Sequence, residues 1–418
     1  MTREPRESGL FWPAALRLAL AGAVFVLVYG GCNRLTALRD HIPTLMFPWE
    51  VHIPFIREFV VPYWSLDLFF CGAFFLCSSR MELNLLTKRL IAVTIASGVC
   101  FLLFPLQMGV PRPDPAGWTA PLFHALYAND LPYNLAPSLH ISLRSLIWIC
   151  YGAHLAGWPR RIVKVWFMLI GASTLLVWQH HVLDVASGFL MGWLVALWIP
   201  DPRQPCLIQP SGKLAIRYGA GVVFCGALCL ASVLFVWPAV ACGIFALAYA
   251  TGNPRVLGKE NGTLSPAAEW CLLPVLLTAF LIQRKWLKRR PAWQEIGQGV
   301  LFGRRLRGSE AEALAVGGDL AVLDLTAESN APAAFRERAV YQNLAVLDLV
   351  PLTPEHIRVA LQFIEAQRNA GRRVYIHCQL GLQRSALIAA HWIVDQGAAA
   401  DFHEAREKIR AIRPDVVM

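Results

Sequence analysis

The chain has 418 residues, 56% of them hydrophobic and only 16% charged, with a formal charge of +10 and a mean hydropathy of +0.46. That composition excludes an ordinary soluble protein and the length excludes one small domain, so the sequence describes a multi-domain, largely membrane-embedded chain. The charge concentrates at Arg284, Lys285, Lys288, Arg289 and Arg290, between an apolar and a polar stretch. This run reads as a membrane-edge anchor; no nucleic-acid partner is expected.

A first span runs from Phe11 to Gly31, with Arg3 and Arg6 before it and Arg17 near its start. It lacks a convincing cleavage site and reads as a retained helix with a cytoplasmic N-terminus. A Pro- and aromatic-rich loop (Phe47-Pro48-Trp49-Glu50) suits an interfacial segment on the far side. Further spans are expected at about 59–78, 90–107, 141–157, 163–179 and 182–199, with the basic connections Arg80 to Arg89 and Arg160 to Lys164 in the cytoplasm. Apolar runs follow at about 217–236, 238–251 and 266–283. The run 238–251 is short for a span of roughly 20 residues and reads as re-entrant or irregular. The eleven cysteines, several inside apolar runs (Cys71, Cys77, Cys100, Cys225, Cys229), have no metal-type pairing, so neither a disulfide framework nor a metal is expected.

Three polar clusters fall on the outer edge of these spans: Pro111-Arg112-Pro113, Pro137-Ser138-Leu139-His140 and Gln179-His180-His181-Val182-Leu183-Asp184. Ionisable groups at the mouth of a helical bundle mark a functional site by default. On a helix, His180 and Asp184 would lie one turn apart, so that the carboxylate holds the imidazole for attack on phosphorus. His140 is then the acid for the leaving oxygen, with Arg144 one turn further as a phosphate-binding cation. His181 and His124 read as interfacial polar groups.

Across roughly residues 10–200 these clusters resemble the type 2 phosphatidic acid phosphatase superfamily, a six-helix membrane fold. Its pattern is Lys-x6-Arg-Pro, then Pro-Ser-Gly-His, then Ser-Arg-x5-His-x3-Asp. Arg112-Pro113, Pro137-Ser138, His140, His180 and Asp184 match it, while Pro105, Leu139 and Thr174 stand where the pattern has Lys, Gly and Arg. Pro-Ser-Leu-His and the paired histidines are similar to the branch of inositolphosphoryl- and cholinephosphoryl-ceramide synthases, which implies transfer of a head-group phosphate to a lipid alcohol as an alternative to hydrolysis.

From Pro291 onward the texture is soluble α/β. Strands are expected at Gly299–Phe302, Leu320–Leu325 and Tyr341–Leu349, helices from about Ser309 and from Pro354 to Ala370, then a strand ending in Cys378 and two more helices. This alternation argues a mainly parallel sheet with helices on both faces. In Val374-Tyr375-Ile376-His377-Cys378-Gln379-Leu380-Gly381-Leu382-Gln383-Arg384-Ser385 a strand delivers a cysteine, a loop containing Gly381 follows, and an arginine opens a helix. Loop amides and the helix N-terminus aim donors at a phosphate, Arg384 grips it, and the same donors stabilise Cys378 as the attacking thiolate. His-Cys-x5-Arg-Ser resembles the signature of Cys-dependent phosphatases, most closely the dual-specificity branch. The resemblance implies a general acid about thirty residues earlier, which selects Asp348; Asp324 is the competitor, in a context more like a structural strand end. Ser385 is placed to hydrogen-bond the departing sulfur, and His377 to support the loop.

The organisation expected is therefore a polytopic all-α membrane bundle at 10–200, further spans and a basic linker at 201–290, and a soluble phosphatase domain at 291–418. Function is expected to be bifunctional: hydrolysis of phosphate monoesters, lipid phosphates first, at a His site in the membrane and a Cys site outside it. The alternatives are a head-group phosphotransferase in the membrane half, or a non-catalytic anchor carrying a protein phosphatase. Partners are membrane lipids and a phosphorylated lipid or phosphoprotein substrate, and no cofactor is expected. The basic linker and the need for a reduced Cys378 place the phosphatase domain in the cytoplasm and the lipid site in the periplasm of a bacterial inner membrane.

Overall fold

The computed structural model describes residues 6–114, 116–203, 206–287 and 291–418, except the side chains of residues 233 and 283–287. Arg3 and the basic run from Arg284 to Arg290 therefore lie outside the described side chains. Contacts divide the chain into two compact units, Glu4–Pro200 and Asp201–Met418, so the segment expected as separate spans and linker belongs to the same unit as the C-terminal domain.

The first unit is all helical. Helix α1 (Phe11–Phe25) passes through one π-helical stretch (Val26–Gly30) into α2 (Gly31–Ala37). It continues with α3 (Val60–Leu76), α4 (Arg80–Leu103), α5 (Ala120–Asn129), α6 (Leu139–His154), α7 (Gly157–Leu176) and α8 (Val182–Trp198). Three described stretches, Phe11–Ala37, Arg57–Leu76 and Arg80–Leu103, are long and apolar enough to cross a membrane.

Two expected loops are instead helix. Ser79 caps α4 by accepting the Glu82 amide at 3.2 Å, so the helix begins before the basic residues. Arg89 is then buried on α4, where it donates to Ile199 O at 2.8 Å and closes the C-terminus of α8. Arg160 to Lys164 likewise lie in the first turns of α7.

Small residues let α8 approach α6. A Cβ at Gly188 would stand 2.5 Å from Ser138 O, and Gly192, one turn on, faces Ser142 and Ser145. Backbone bonds from Ile56 N to Leu176 O (2.8 Å) and Ser138 N to Asp184 O (2.9 Å) tie together the end that carries all three polar clusters.

The second unit begins with two packed helices, α9 (Gly212–Leu228) and α10 (Val236–Thr251). The run expected to be re-entrant or irregular is thus a regular helix of 16 residues. A small hairpin, β1 (Lys259–Glu260) and β2 (Thr263–Leu264), leads to α11 (Pro266–Cys271) and α12 (Leu273–Leu287). The main sheet has strands β3 (Trp293–Gly297), β4 (Val300–Arg304), β5 (Leu320–Thr326), β6 (Val340–Val346) and β7 (Arg373–Cys378). Their order is β3-β4-β7-β5-β6; β3 is antiparallel to β4 and the other neighbours are parallel.

The central strands are buried on both faces, as crossover helices require. Val374, Ile376 and Cys378 of β7 point to the side of α15 (Pro354–Asn369), α16 (Arg384–Asp395) and α17 (Phe402–Ile412). Tyr375 points to the side of α13 (Gly308–Leu314) and α14 (Ala333–Arg338). This period of two carries Cys378 to the carboxyl end of the central strand, where parallel α/β sheets place their sites.

Candidate active site

Cys378 ends β7 and Arg384 opens α16, so the loop between them wraps around one point. The Gly381 amide donates to Cys378 Sγ at 3.2 Å and Ser385 Oγ lies 3.4 Å from the same sulfur. Ser385 Oγ also donates to Gly303 O at 3.1 Å, which fixes its rotamer. Gly381 has φ +70°, and a Cβ there would stand 2.6 Å from the Gly303 carbonyl carbon, so no other residue fits the loop against β4. From below, Arg413 donates to Leu380 O at 3.4 Å and the Val417 amide to Leu382 O at 2.9 Å.

Arg384 is 2% exposed and fully engaged. Nη1 donates to Val346 O (2.7 Å) and Leu325 O (3.2 Å), and Nη2 meets Glu328 Oε1 (2.9 Å) and Asp348 Oδ1 (2.8 Å). Burial would lower the guanidinium pKa, but Glu328, Asp348 and Cys378 outweigh it and raise it further. Asp348 stands just past β6 with its side chain 43% exposed, and its carboxylate reaches Arg384. Glu328, which the sequence reading did not single out, lies in the turn after β5; no contiguous motif links it to Arg384.

Asp324 is fully buried and accepts from Lys259 Nζ (2.8 Å), the Tyr341 hydroxyl (2.7 Å), and the Thr326 amide (2.8 Å) and hydroxyl (2.7 Å). Burial would raise its pKa, but Lys259, His377 and Tyr341 hold it below the ordinary carboxylate range. With its oxygens so used, Asp324 braces the strand end, the role that set it behind Asp348. His377 is fully buried between Tyr375 and Phe335, with Nε2 3.8 Å from Asp324. Burial pushes its pKa down to about 4, with Lys259 and Arg305 adding to the effect against Asp324.

In the first unit, Arg112 and His180 line one small cleft with Tyr29, Asp130 and Gln179. Arg112 donates to Asp130 O at 2.6 Å and lies 4.7 Å from the centre of the Tyr127 ring. Two expectations need correction. His180 precedes α8 instead of lying on it, and its Nδ1 is 3.7 Å from Asp184 Oδ2, beyond a hydrogen bond. Asp184 instead accepts the His181 amide at 2.7 Å, because it occupies the third position of α8, where a carboxylate satisfies the free N-terminal amides.

Arg144 is buried away from the cleft. It donates to Phe167 O on α7 and covers the Phe189 ring at 5.4 Å. His140 stacks on Tyr63 at 4.3 Å within electrostatic reach of His180, and its Nε2 has no hydrogen-bond partner among the described residues. His181, expected at the interface, is buried: its Nδ1 pairs with Glu50 at 3.1 Å and its Nε2 accepts the Gly109 amide at 3.0 Å. Cys77, Glu82 and Cys150, which no spacing connected, place their ligand atoms within 4.8 Å of one another. There Glu82 accepts the Ser78 amide at 2.8 Å and the Cys77 thiol donates to Ala73 O at 3.4 Å.

A family model described as "Dual specificity phosphatase, catalytic domain" matches residues 320–418. Among solved structures, the chain is similar to Tk-PTP in its active form (23% identity, 30% of this chain and 88% of that one, TM-score 0.29). It is also similar to PTPMT1 in complex with PI(5)P (20% identity, 30% and 86%, TM-score 0.28). A third is a mouse putative dual specificity phosphatase complexed with zinc tungstate (16% identity, 31% and 79%, TM-score 0.28). The match over residues 320–418 supports a Cys-dependent phosphatase catalytic domain of the dual-specificity type there, and with it a phosphoric monoester hydrolase.

Proposed function

We propose that the protein is a membrane-bound phosphatase that cleaves phosphate monoesters of lipids through Cys378. The observation that carries this reading is the loop from Cys378 to Arg384, whose Gly381 amide donates to Cys378 Sγ and whose arginine pairs with Asp348. A phosphate dianion takes the place of the Asp348 carboxylate on Arg384, and Asp348 serves as the general acid. The Cys378 thiolate attacks phosphorus, the bond to the ester oxygen breaks, and Asp348 gives its proton to the leaving alkoxide. Water then attacks the phosphocysteine, Asp348 takes its proton, and the sulfur leaves as a thiolate that accepts from the Gly381 amide. The products are the alcohol and inorganic phosphate.

Lipid substrates are supported by the apolar side chains exposed on the helices of the same unit, among them Ile216, Val223, Phe224, Val240 and Leu247. An enzyme anchored by such helices meets lipid phosphates at high effective concentration.

The cleft shared by Arg112 and His180 favours a second reading for the first unit, a type 2 phosphatidic acid phosphatase-like site. In it His180 acts on phosphorus, His140 serves as acid, and water or a lipid alcohol is the acceptor. The periplasmic orientation of this site and the cytoplasmic one of Cys378 belong to the same proposal.

Phosphate release from lipid phosphomonoesters in mixed micelles, with and without an acceptor alcohol, tests both sites. Loss of part of the release in Cys378→Ser, and of the remainder on adding His180→Ala, supports two hydrolases. If all release depends on Cys378, the first unit is a transferase or an anchor, and acceptor dependence separates those two. Release indifferent to Cys378→Ser would overturn the main reading.

A further inference from the structure

The loop that carries Asp348 is weakly held by its own sheet. Asp348 lies beyond the last residue of β6, and the next residue, Leu349, has φ +60° and is 61% exposed. Side chains other than glycine, asparagine and aspartate rarely hold that conformation unaided. Among the described residues, two polar contacts hold Asp348, between the buried side chains of Leu347 and Val350. One is Arg384 on the Asp348 carboxylate. The other comes from outside the family-matched residues: the Tyr249 hydroxyl donates to Asp348 O at 2.9 Å.

Tyr249 is buried near the end of α10, and its hydroxyl is aimed by a stack of rings. It stacks on Tyr218 of α9 (5.4 Å, 14°), and Tyr218 stacks on Phe245 (5.1 Å, 15°). The backbone there is pinned as well, with the Ser211 amide donating to Tyr249 O at 2.8 Å. Just beyond α10, Lys259 enters the sheet, 1% exposed, to meet Asp324 and Thr326 O, both at 2.8 Å. The segment before the catalytic domain is thus built into the site at two points: the acid loop and the strand end beside Cys378.

We propose that Tyr249 is a positioning residue of the phosphatase reaction, which fixes the main chain of the Asp348 loop and makes the α9–α10 helix pair a working part of the active site. The proposal rests on the reading of Asp348 as general acid. A movement of the helix pair would then be felt at Asp348 as a change in proton delivery.

The test compares the full-length enzyme with Tyr249→Phe and Asp348→Asn on two soluble substrates. Glycerol phosphate has a basic leaving group that needs a proton; p-nitrophenyl phosphate has an acidic one that hardly does. Tyr249→Phe removes one hydroxyl and keeps the ring stack. It is expected to lower kcat/KM, which reports only the steps up to cleavage of the ester bond, about three- to tenfold on glycerol phosphate, the worth of one hydrogen bond, with little loss of kcat/KM on p-nitrophenyl phosphate. Asp348→Asn is expected to show the same pattern with a larger loss. Equal loss on both substrates, or none on either, for Tyr249→Phe beside a graded Asp348→Asn overturns the proposal alone. A flat Asp348→Asn response overturns the acid assignment and the proposal with it.

Discussion

Arg384 Nη2 stands 2.8 Å from Asp348 Oδ1 and 2.9 Å from Glu328 Oε1. The two carboxylates differ in exposure, 43% for Asp348 against 14% for Glu328, and that difference divides their roles. The exposed one can yield its place to a phosphate; the buried one stays and fixes the plane of the guanidinium.

Glu328→Ala is therefore expected to leave Arg384, once a phosphate has displaced Asp348, held on the protein side by the carbonyls of Val346 and Leu325. Loss of a buried, charge-assisted pair of hydrogen bonds of about 1.5–3 kcal/mol corresponds to roughly a ten- to hundredfold drop in kcat/KM. Steady-state kinetics on p-nitrophenyl phosphate measures it. Unchanged kcat/KM would show that the two carbonyls suffice.

His377 gives the second unit a pH-dependent stability. Its folded pKa, pushed to about 4, lies below the unfolded value, so between those two values the unfolded chain binds more protons. Stability is then full at pH above roughly 6.5 and declines toward pH 4, by up to a few kcal/mol. The groups facing the imidazole are Asp324, Lys259 and Arg305; Asp324, held below its ordinary range, contributes only at still lower pH. Chemical denaturation between pH 7.5 and 4.5 is expected to show this slope in the intact protein and a smaller one in His377→Gln. Equal slopes in the two proteins would assign the effect elsewhere.

Gly381→Ala combines a left-handed backbone with a Cβ against the Gly303 carbonyl. Relieving that clash moves the amide that reaches Cys378 Sγ. A loss of activity of at least about a hundredfold is expected, with backbone strain on the order of 1–3 kcal/mol. Circular dichroism with an activity assay separates the two effects. Retained activity would mean that the Gly381 amide does not serve the reaction.

Arg413 is among the largest fully buried side chains, with its guanidinium 6.0 Å from the centre of the Phe302 ring and a bond to Leu380 O. Arg413→Ala is expected to destabilise by about 2 kcal/mol, through lost packing as much as lost charge. Urea denaturation reads the change. Because the same contacts brace the loop around Cys378, KM for a phosphate ester is expected to rise in parallel; a stability loss with KM unchanged would show that the bracing is dispensable.

The legibility of the chain follows the range of its interactions. The loop from Cys378 to Arg384 was legible because strand, turn and helix N-terminus are contiguous and each has its own residue signal. Family spacing singled out Asp348, which the fold sets on Arg384, and context singled out Asp324, which it sets on Lys259. Glu328 and Lys259 were not, because each reaches its partner across the fold, Glu328 from 56 residues away and Lys259 from 65. In the first unit the helix starts were misplaced where basic residues occupy first turns, at Arg80 and Arg160, because charge there suggests loop as readily as capped helix. Arg144 shows the limit of helical spacing: its separation from His140 was right, but the α6 surface turns it to Phe167 and Phe189.

The central claim is that Cys378 carries the phosphoryl group, and acid-quenched single turnover tests it most directly. Full-length Asp348→Asn, slowed in breaking down the intermediate, would be mixed with p-nitrophenyl phosphate, quenched, digested and examined by mass spectrometry. A phosphoryl adduct is expected on the peptide containing Cys378, absent when Cys378→Ser is added. Nitrophenol release at an undiminished rate from the Cys378→Ser protein, with no adduct on Cys378 in the other, would contradict it.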